Sequence, residues 1–202
     1  MPKIRQLPAD WVKLNLGCNQ NLLDGWTNVD VYPFDGVDMV MDLEKDWQWE
    51  DNSVHYIRAY DIFEHLHDSI HTMNEAWRVL GHGGMLELWV PSTDGRGAFQ
   101  DPTHVSFWNR NSLFYYSKKF QGSLYPGLIK CDFDIATFDT RKDESGVIWT
   151  WGLCRAIKGN QDQPVIPPIW YEALGSMDPS KRKVPGYEGN SLGTIPQEPP
   201  DK

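Results

Sequence analysis

Cysteine is scarce in this chain. Cys18, Cys131 and Cys154 are the whole set, an odd number with no CxxC spacing. That pattern argues against a disulfide framework and fits a reducing compartment, so a cytoplasmic location is expected. Long apolar runs are also missing. No stretch approaches the roughly 20 apolar residues that span a bilayer, and no membrane association is expected. The opening MPKIRQLPADW has no apolar run of the kind a signal peptide carries. Positive charge is in deficit, with 19 Lys and Arg against 28 Asp and Glu and a formal net charge of −9. A nucleic-acid partner is therefore not expected, because duplex binders usually show a basic face. There is no internal repeat.

What is present suits one domain and a tail. The 202 residues are 40% hydrophobic and 13% aromatic, enough to bury a core, and ten are tryptophan. Residues 1–158 read as the domain. From residue 159 onward, eight of the fourteen prolines crowd into 44 residues. That segment, 159–202, reads as an extended tail with a short helical piece near 169–174, suited to wrapping the domain or contacting a partner protein.

The apolar pattern predicts the elements. Residues 11–16 form a short run stopped by Gly17 and read as a buried strand. Residues 27–31, 37–43, 54–60 and 85–90 predict four more, with Asp42 closing the third and Asp61 following the fourth. Leu66, Ile70, Met73, Trp77 and Leu80 recur at helical spacing, and GHGG at 81–84 supplies a helix stop. Residues 45–52 read as a loop or short helix, 112–120 as an aromatic-rich helix, and 92–111 as a long polar loop of the kind that is often functional. Residues 129–140 and 147–158 predict a hairpin around the turn 141–146. The sum is an α/β fold, with a mostly parallel sheet and a C-terminal antiparallel hairpin. The connection 17–26 is barely as long as a parallel crossover requires, so the first helix must be abbreviated. Ligands of such sheets sit beyond the carboxyl ends of the strands, where Asn19, Asp30, Asp42 and Asp61 would gather.

Six segments carry a resemblance by their order and spacing: LNLGCN at 14–19, GWTNVD at 25–30, MDL at 41–43, DIFEHL at 61–66, EAWRVLGHGG at 75–84 and LWVPS at 88–92. They resemble the class I S-adenosylmethionine-dependent methyltransferases, especially the small methyltransferase-11-like proteins of bacteria and phages. The resemblance runs from about residue 13 to about residue 116. It implies a Rossmann-like sheet and S-adenosylmethionine as cofactor. It further implies that residues 14–19 are the glycine loop crossed by the methionine part, with Gly17 giving the ligand close approach and Asn15 at the position that helps hold the amino group. Asp30 would accept hydrogen bonds from the ribose hydroxyls. Asp42 and Leu43 would meet the adenine, and Asp61 would face methionine and substrate. The loop's usual second glycine is here Asn19, a residue that tolerates left-handed backbone.

Plainer readings stand beside these. Gly17 and Asp30 also fit a strand–turn–strand with a solvated acid. Asp42 and Asp61 also fit helix N-caps. Glu75 and Arg78 read as an exposed i,i+3 ion pair. His65, His67 and His71 cluster in EHLHDSIH, with His67 and His71 on one helical face, but surface histidines are commoner than ligands and no metal is expected. The DPTH run at 101–104, with Phe107 and Trp108 after it, would face the sheet edge if Pro91 ends the fifth strand, and it resembles a (P)xH…F segment that often closes over the substrate in small methyltransferases. His104 is then the first candidate for a catalytic base and His65 the second, the alternative for His104 being a loop-fixing hydrogen bond. Aromatics of 47–49 and 107–116 would screen the site from water.

The function expected is methyl transfer to a small-molecule or glycan-like acceptor. Two alternatives remain. One is a nucleoside-binding or degenerate non-catalytic module that docks through the tail. The other is an NAD(P)-dependent oxidoreductase, which would want GxGxxG where the chain reads GCNQNL. Methylation of exocyclic base nitrogens would want an (D/N)PP(Y/F) run where the chain reads DIFE.

Overall fold

The computed structural model describes residues 9–121 and 125–159. The expected tail, including its helical piece, lies outside them. The described residues form a seven-stranded sheet in the order β3-β2-β1-β4-β5-β7-β6. β1 (Lys13–Leu16), β2 (Thr27–Asp30), β3 (Met39–Val40), β4 (Val54–Tyr60) and β5 (Leu80–Pro91) are parallel. β6 (Phe133–Lys142) and β7 (Ile148–Ala156) form the antiparallel hairpin. The expected mostly parallel sheet with a C-terminal hairpin is therefore what the chain builds. Among the described residues no helix is long and apolar enough to cross a membrane.

The helices are fewer than the pattern suggests. The crossover 17–26 is turns alone, so the first helix is missing rather than short. The segments between β2 and β3 and between β3 and β4 are also helix-free. Among the described residues the one long helix is α1 (Ser69–Val79). It starts later than the apolar spacing suggests because Asp68 caps it, accepting a hydrogen bond from the His71 N–H at 2.8 Å. Asp61 is therefore not its cap. The third strand shrinks to Met39–Val40 at the sheet edge, so Asp42 lies beyond it in a turn. The segment 112–120 is a 3-10 stretch, Arg110–Tyr116, followed by a short helix, Lys118–Gln121.

The glycines after α1 are not the helix stop that the pattern suggests, because Leu80 before them is already extended and paired in β5. Val54 pairs with Leu80 and Tyr56 with Met85, so residues 81–84 are a bulge inside β5. Gly83 has φ 78°. A Cβ on Gly84 would lie 3.0 Å from the Gly81 carbonyl oxygen and 3.2 Å from that of His55. Only glycine fits so close a backbone approach.

The strands bury both faces. Leu14, Leu16, Ile57, Ala59, Leu86 and Leu88 pack against Met73, Ala76 and Val79 of α1. On the opposite face Trp11, Tyr56, Met85, Trp151 and Leu153 form a second cluster. A buried carboxylate is satisfied there: Glu87 accepts from the Tyr56 hydroxyl at 2.8 Å and from Trp151 Nε1 at 2.9 Å. All three cysteines are buried and unbridged.

Glu75 and Arg78 are not the exposed pair that their spacing predicts. Glu75 is buried, and its carboxylate accepts from Trp47 N–H at 2.8 Å and from Arg78 at 2.7 Å. Arg78 also donates to the carbonyls of Trp47 and Trp49, both at 2.9 Å, and to Asp51 at 2.8 Å. The pair is a clamp that holds the helix-free segment 45–52 onto α1. Burial works against the Glu75 carboxylate, but Arg78 and the Trp47 amide outweigh it and hold its pKa below the usual range.

Candidate functional site

The strand order reverses between β1 and β4, and in open α/β sheets a crevice forms at the carboxyl edge of such a point. The loop after β1 meets it first. Gly17 takes φ 62° and Asn19 takes φ 43°, so Asn19 does adopt the left-handed backbone expected of it. The Asn19 N–H donates to Asp30 Oδ2 at 2.8 Å, and the Tyr32 N–H donates to Asp30 Oδ1 at 3.0 Å. Asp30 is thus buried at the end of β2 as the tie between two loops. Each of its oxygens accepts one of these bonds and retains a lone pair.

The neighbouring expectations fare differently. A Cβ on Gly17 would lie 2.7 Å from Cβ of Ile62, so the space above this glycine belongs to a side chain of the loop after β4. The close approach in the structure is therefore of protein on protein. Asn15 is fully buried. Its amide nitrogen donates to Asn21 O at 2.8 Å and Asn28 Oδ1 at 2.9 Å, and its oxygen accepts from Arg58 at 2.6 Å. It cross-links β1, β2 and β4, with both amide hydrogens in use and one lone pair of its oxygen left over. Asp42 is exposed and accepts from Glu44 N–H at 2.9 Å, closing a turn rather than capping a helix. The N–H of the following Leu43 has no hydrogen-bond partner among the described residues.

The second wall comes from the end of β4. Asp61 has φ 54°, and its N–H extends the sheet to Trp89 O at 2.9 Å. Asp61 is exposed as a residue, yet the surrounding protein desolvates its carboxyl enough to push the pKa up to about 6, against the pull of Arg58 and His104. Glu64 and His65 follow on the 3-10 turn Phe63–His65. Glu64 is 2% exposed, and its Oε2 has no hydrogen-bond partner among the described residues. Burial pushes its pKa up to about 8, with the charges of Asp61 and Asp101 adding to the rise.

The loop after β5 completes this wall. Val105 and Ser106 N–H both donate to the Glu64 carbonyl, at 2.8 and 3.0 Å, and Ser106 Oγ donates to Phe63 O at 2.7 Å. That clip brings His104 against His65, with ring centroids 4.9 Å apart. The two histidines singled out from sequence thus meet, though 38 residues separate the joined segments at His65 and Thr103. His104 Nδ1 faces the Ala98 carbonyl at 3.1 Å, and His65 Nδ1 faces Thr103 O at 3.3 Å and Thr103 Oγ1 at 3.0 Å. His104 therefore makes the loop-fixing contact as well as lining the wall.

Other expected members stand elsewhere. His67 precedes α1 and pairs with Glu44 at 3.0 Å, while His71 reaches the Lys45 carbonyl at 3.1 Å. They share neither a helical face nor the site. Trp47 and Trp108 are buried in the core and do not screen the crevice. Phe99 and Phe107 are exposed and stack at 5.3 Å on the loop that carries His104. Glu64 is the member that sequence reasoning missed: it stands in the DIFEHL segment, but only its burial sets it apart from any other glutamate.

No family model matches the chain, and no curated protein does. Solved structures do. An S-adenosylmethionine-dependent methyltransferase from Methanosarcina mazei matches with a TM-score of 0.53 at 12% identity, over 75% of this chain and 94% of that one. The N-methyltransferase NodS from Bradyrhizobium japonicum, solved with S-adenosylhomocysteine, gives 0.54 at 13% identity over 73% and 79%. The cyclase SpnF gives 0.54 at 12% over 74% and 75%. At such identities the likeness speaks to architecture alone. The chain has the Rossmann-like fold of class I methyltransferases.

Proposed function

We propose that the protein transfers a methyl group from S-adenosylmethionine to a small-molecule or glycan-like acceptor. Asp30 carries the reading. It is a buried acid at the switch point of this fold, held by two backbone amides, with one lone pair left on each oxygen for a pair of vicinal hydroxyls. The unpartnered Leu43 N–H and the exposed Asp42 follow β3 along the same edge and suit the adenine. The cofactor supplies an activated sulfonium methyl, so the protein's task is alignment. The wall of Asp61, Glu64, His65 and His104 faces the acceptor in this reading. A carbonyl only accepts hydrogen bonds, so the carbonyls beside both Nδ1 atoms fix the protons there. That leaves His104 Nε2 to take the proton of an acceptor hydroxyl, with His65 next in line. The buried, unbridged cysteines suit the cytosol.

The fold does not supply this conclusion, since SpnF shares it as a cyclase. Titration calorimetry with S-adenosylmethionine and S-adenosylhomocysteine tests it. Binding of both is expected, and Asp30→Ala should abolish it. No heat from either ligand would sink the cofactor reading. One observation favours a binding-only module: Ile62 covers Gly17 and Asn15 is locked in a network, where a catalytic cofactor would lie. Tight binding without turnover on a broad acceptor panel would select that second reading.

A further inference from the structure

The acceptor wall has a feature that methyl transfer does not call for. One ligand atom each from Glu64, His65 and His104 lies within 4.8 Å of the others. We propose that these residues form a binding site for a single divalent first-row transition ion.

The donor set fits such an ion. Two neutral imidazoles and a carboxylate are a recurrent ligand set for zinc, iron, cobalt and manganese. Histidine ligands of metals usually donate their second ring N–H to a backbone carbonyl or a carboxylate, which fixes the tautomer and turns the other lone pair toward the ion. Both rings here set Nδ1 against such a carbonyl, Ala98 O for His104 and Thr103 O for His65, which leaves each Nε2 lone pair for an ion. Thr103 Oγ1 supports it, because its own hydrogen is given to Asp101 at 2.6 Å and it can only accept from His65.

Glu64 is the independent observation. Its Oε2 is buried with no hydrogen-bond partner among the described residues, and Glu64 belongs to the same cluster as the two imidazoles. Buried polar atoms in folded proteins nearly always find a partner, and a cation between Glu64, His65 and His104 provides one. The two N–H groups that clip Glu64 O come from the residues directly after His104, so the ligands are held as one rigid unit. Three protein ligands leave a coordination position open for a fourth. An acceptor hydroxyl there would lose its proton more readily, with the histidines acting as ligands in place of bases. The site is distinct from the EHLHDSIH grouping, because His67 and His71 turn to Glu44 and Lys45. It also stands whether or not Asp30 binds a nucleoside.

Full-length protein stripped with chelator and titrated with Co2+, Mn2+ and Zn2+ tests the proposal, by calorimetry and by the visible absorption of cobalt. About one equivalent is expected to bind. Glu64→Gln, His65→Ala and His104→Ala should each weaken it by about tenfold or more, and His67→Ala should leave it unchanged. Circular dichroism identifies any variant that fails to fold, and the near-isosteric Glu64→Gln with the half-buried His65→Ala keeps the test open if His104→Ala does. No stoichiometric binding of any of the three ions overturns the proposal. So does binding that survives both Glu64→Gln and His65→Ala. S-adenosylhomocysteine titrated into the same metal-free samples separates the two readings. Metal binding without nucleoside binding supports the ion site and sinks the cofactor, and the reverse does the opposite.

Discussion

Gly17 holds a left-handed backbone directly beneath the side chain of Ile62. Alanine there meets two separate penalties. The left-handed conformation costs about 1–2 kcal/mol once a Cβ is present, and crowding a packed neighbour typically costs about 1–3 kcal/mol. Gly17→Ala should therefore lower the thermal midpoint, read by circular dichroism. Combined with Ile62→Ala it should lose only the steric part, which appears as coupling in a double-variant cycle. Zero coupling would show that Ile62 is not the obstacle. Gly17, Asn19 and Asp30 were legible in the sequence because they are local signals: a glycine ending an apolar run, and an acid ending the next. Ile62 and Glu64 were not. Each is an ordinary residue in DIFEHL, and its meaning comes from what distant segments place against it.

At the scale of elements, the clamp of Glu75 and Arg78 replaces a helix. Residues 45–52 have no helical hydrogen bonds of their own, and α1 supplies them with partners through these two side chains. The pKa of Glu75 is depressed in the folded state. Its stabilisation is therefore present above the unfolded value, near 4.5, and is lost as pH falls through the lower folded value. Urea unfolding followed from pH 7 to pH 3 should show this loss, and Glu75→Gln should flatten that part of the profile. An unchanged acid limb in the variant would remove Glu75 from the account. Period-3.6 spacing could locate α1, yet it could not tell an i,i+3 pair facing water from one facing a loop. Likewise GHGG was legible as glycine punctuation close behind the helix. Its bulge was not, because that depends on the register between β4 and β5.

For the whole molecule, the missing crossover helices shift weight onto the sheet itself. Trp151 is 1% exposed on the face opposite α1, and Trp151→Ala should cost about 3–5 kcal/mol. Part of that loss would come from stranding Glu87, which accepts from Trp151 Nε1. Thermal unfolding of Trp151→Ala and Trp151→Phe separates the contributions: phenylalanine keeps most of the bulk but none of the N–H. If the phenylalanine variant melts like the parent, the hydrogen bond to Glu87 contributes little. The topology was legible because short apolar runs, a crossover helix and a late hairpin come in a fixed order along the chain. That order persists at 12–13% identity to structures of the same architecture.

The tie made by Asp30 has a thermodynamic consequence of its own. In many nucleoside sites the loops become ordered only when the ligand arrives, and affinity is reduced by the entropy they lose. Here the loops around Asn19 and Tyr32 are already fastened to the carboxylate proposed to meet a ribose. Their disorder is given up when the chain folds, so an incoming nucleoside would bear little of that penalty.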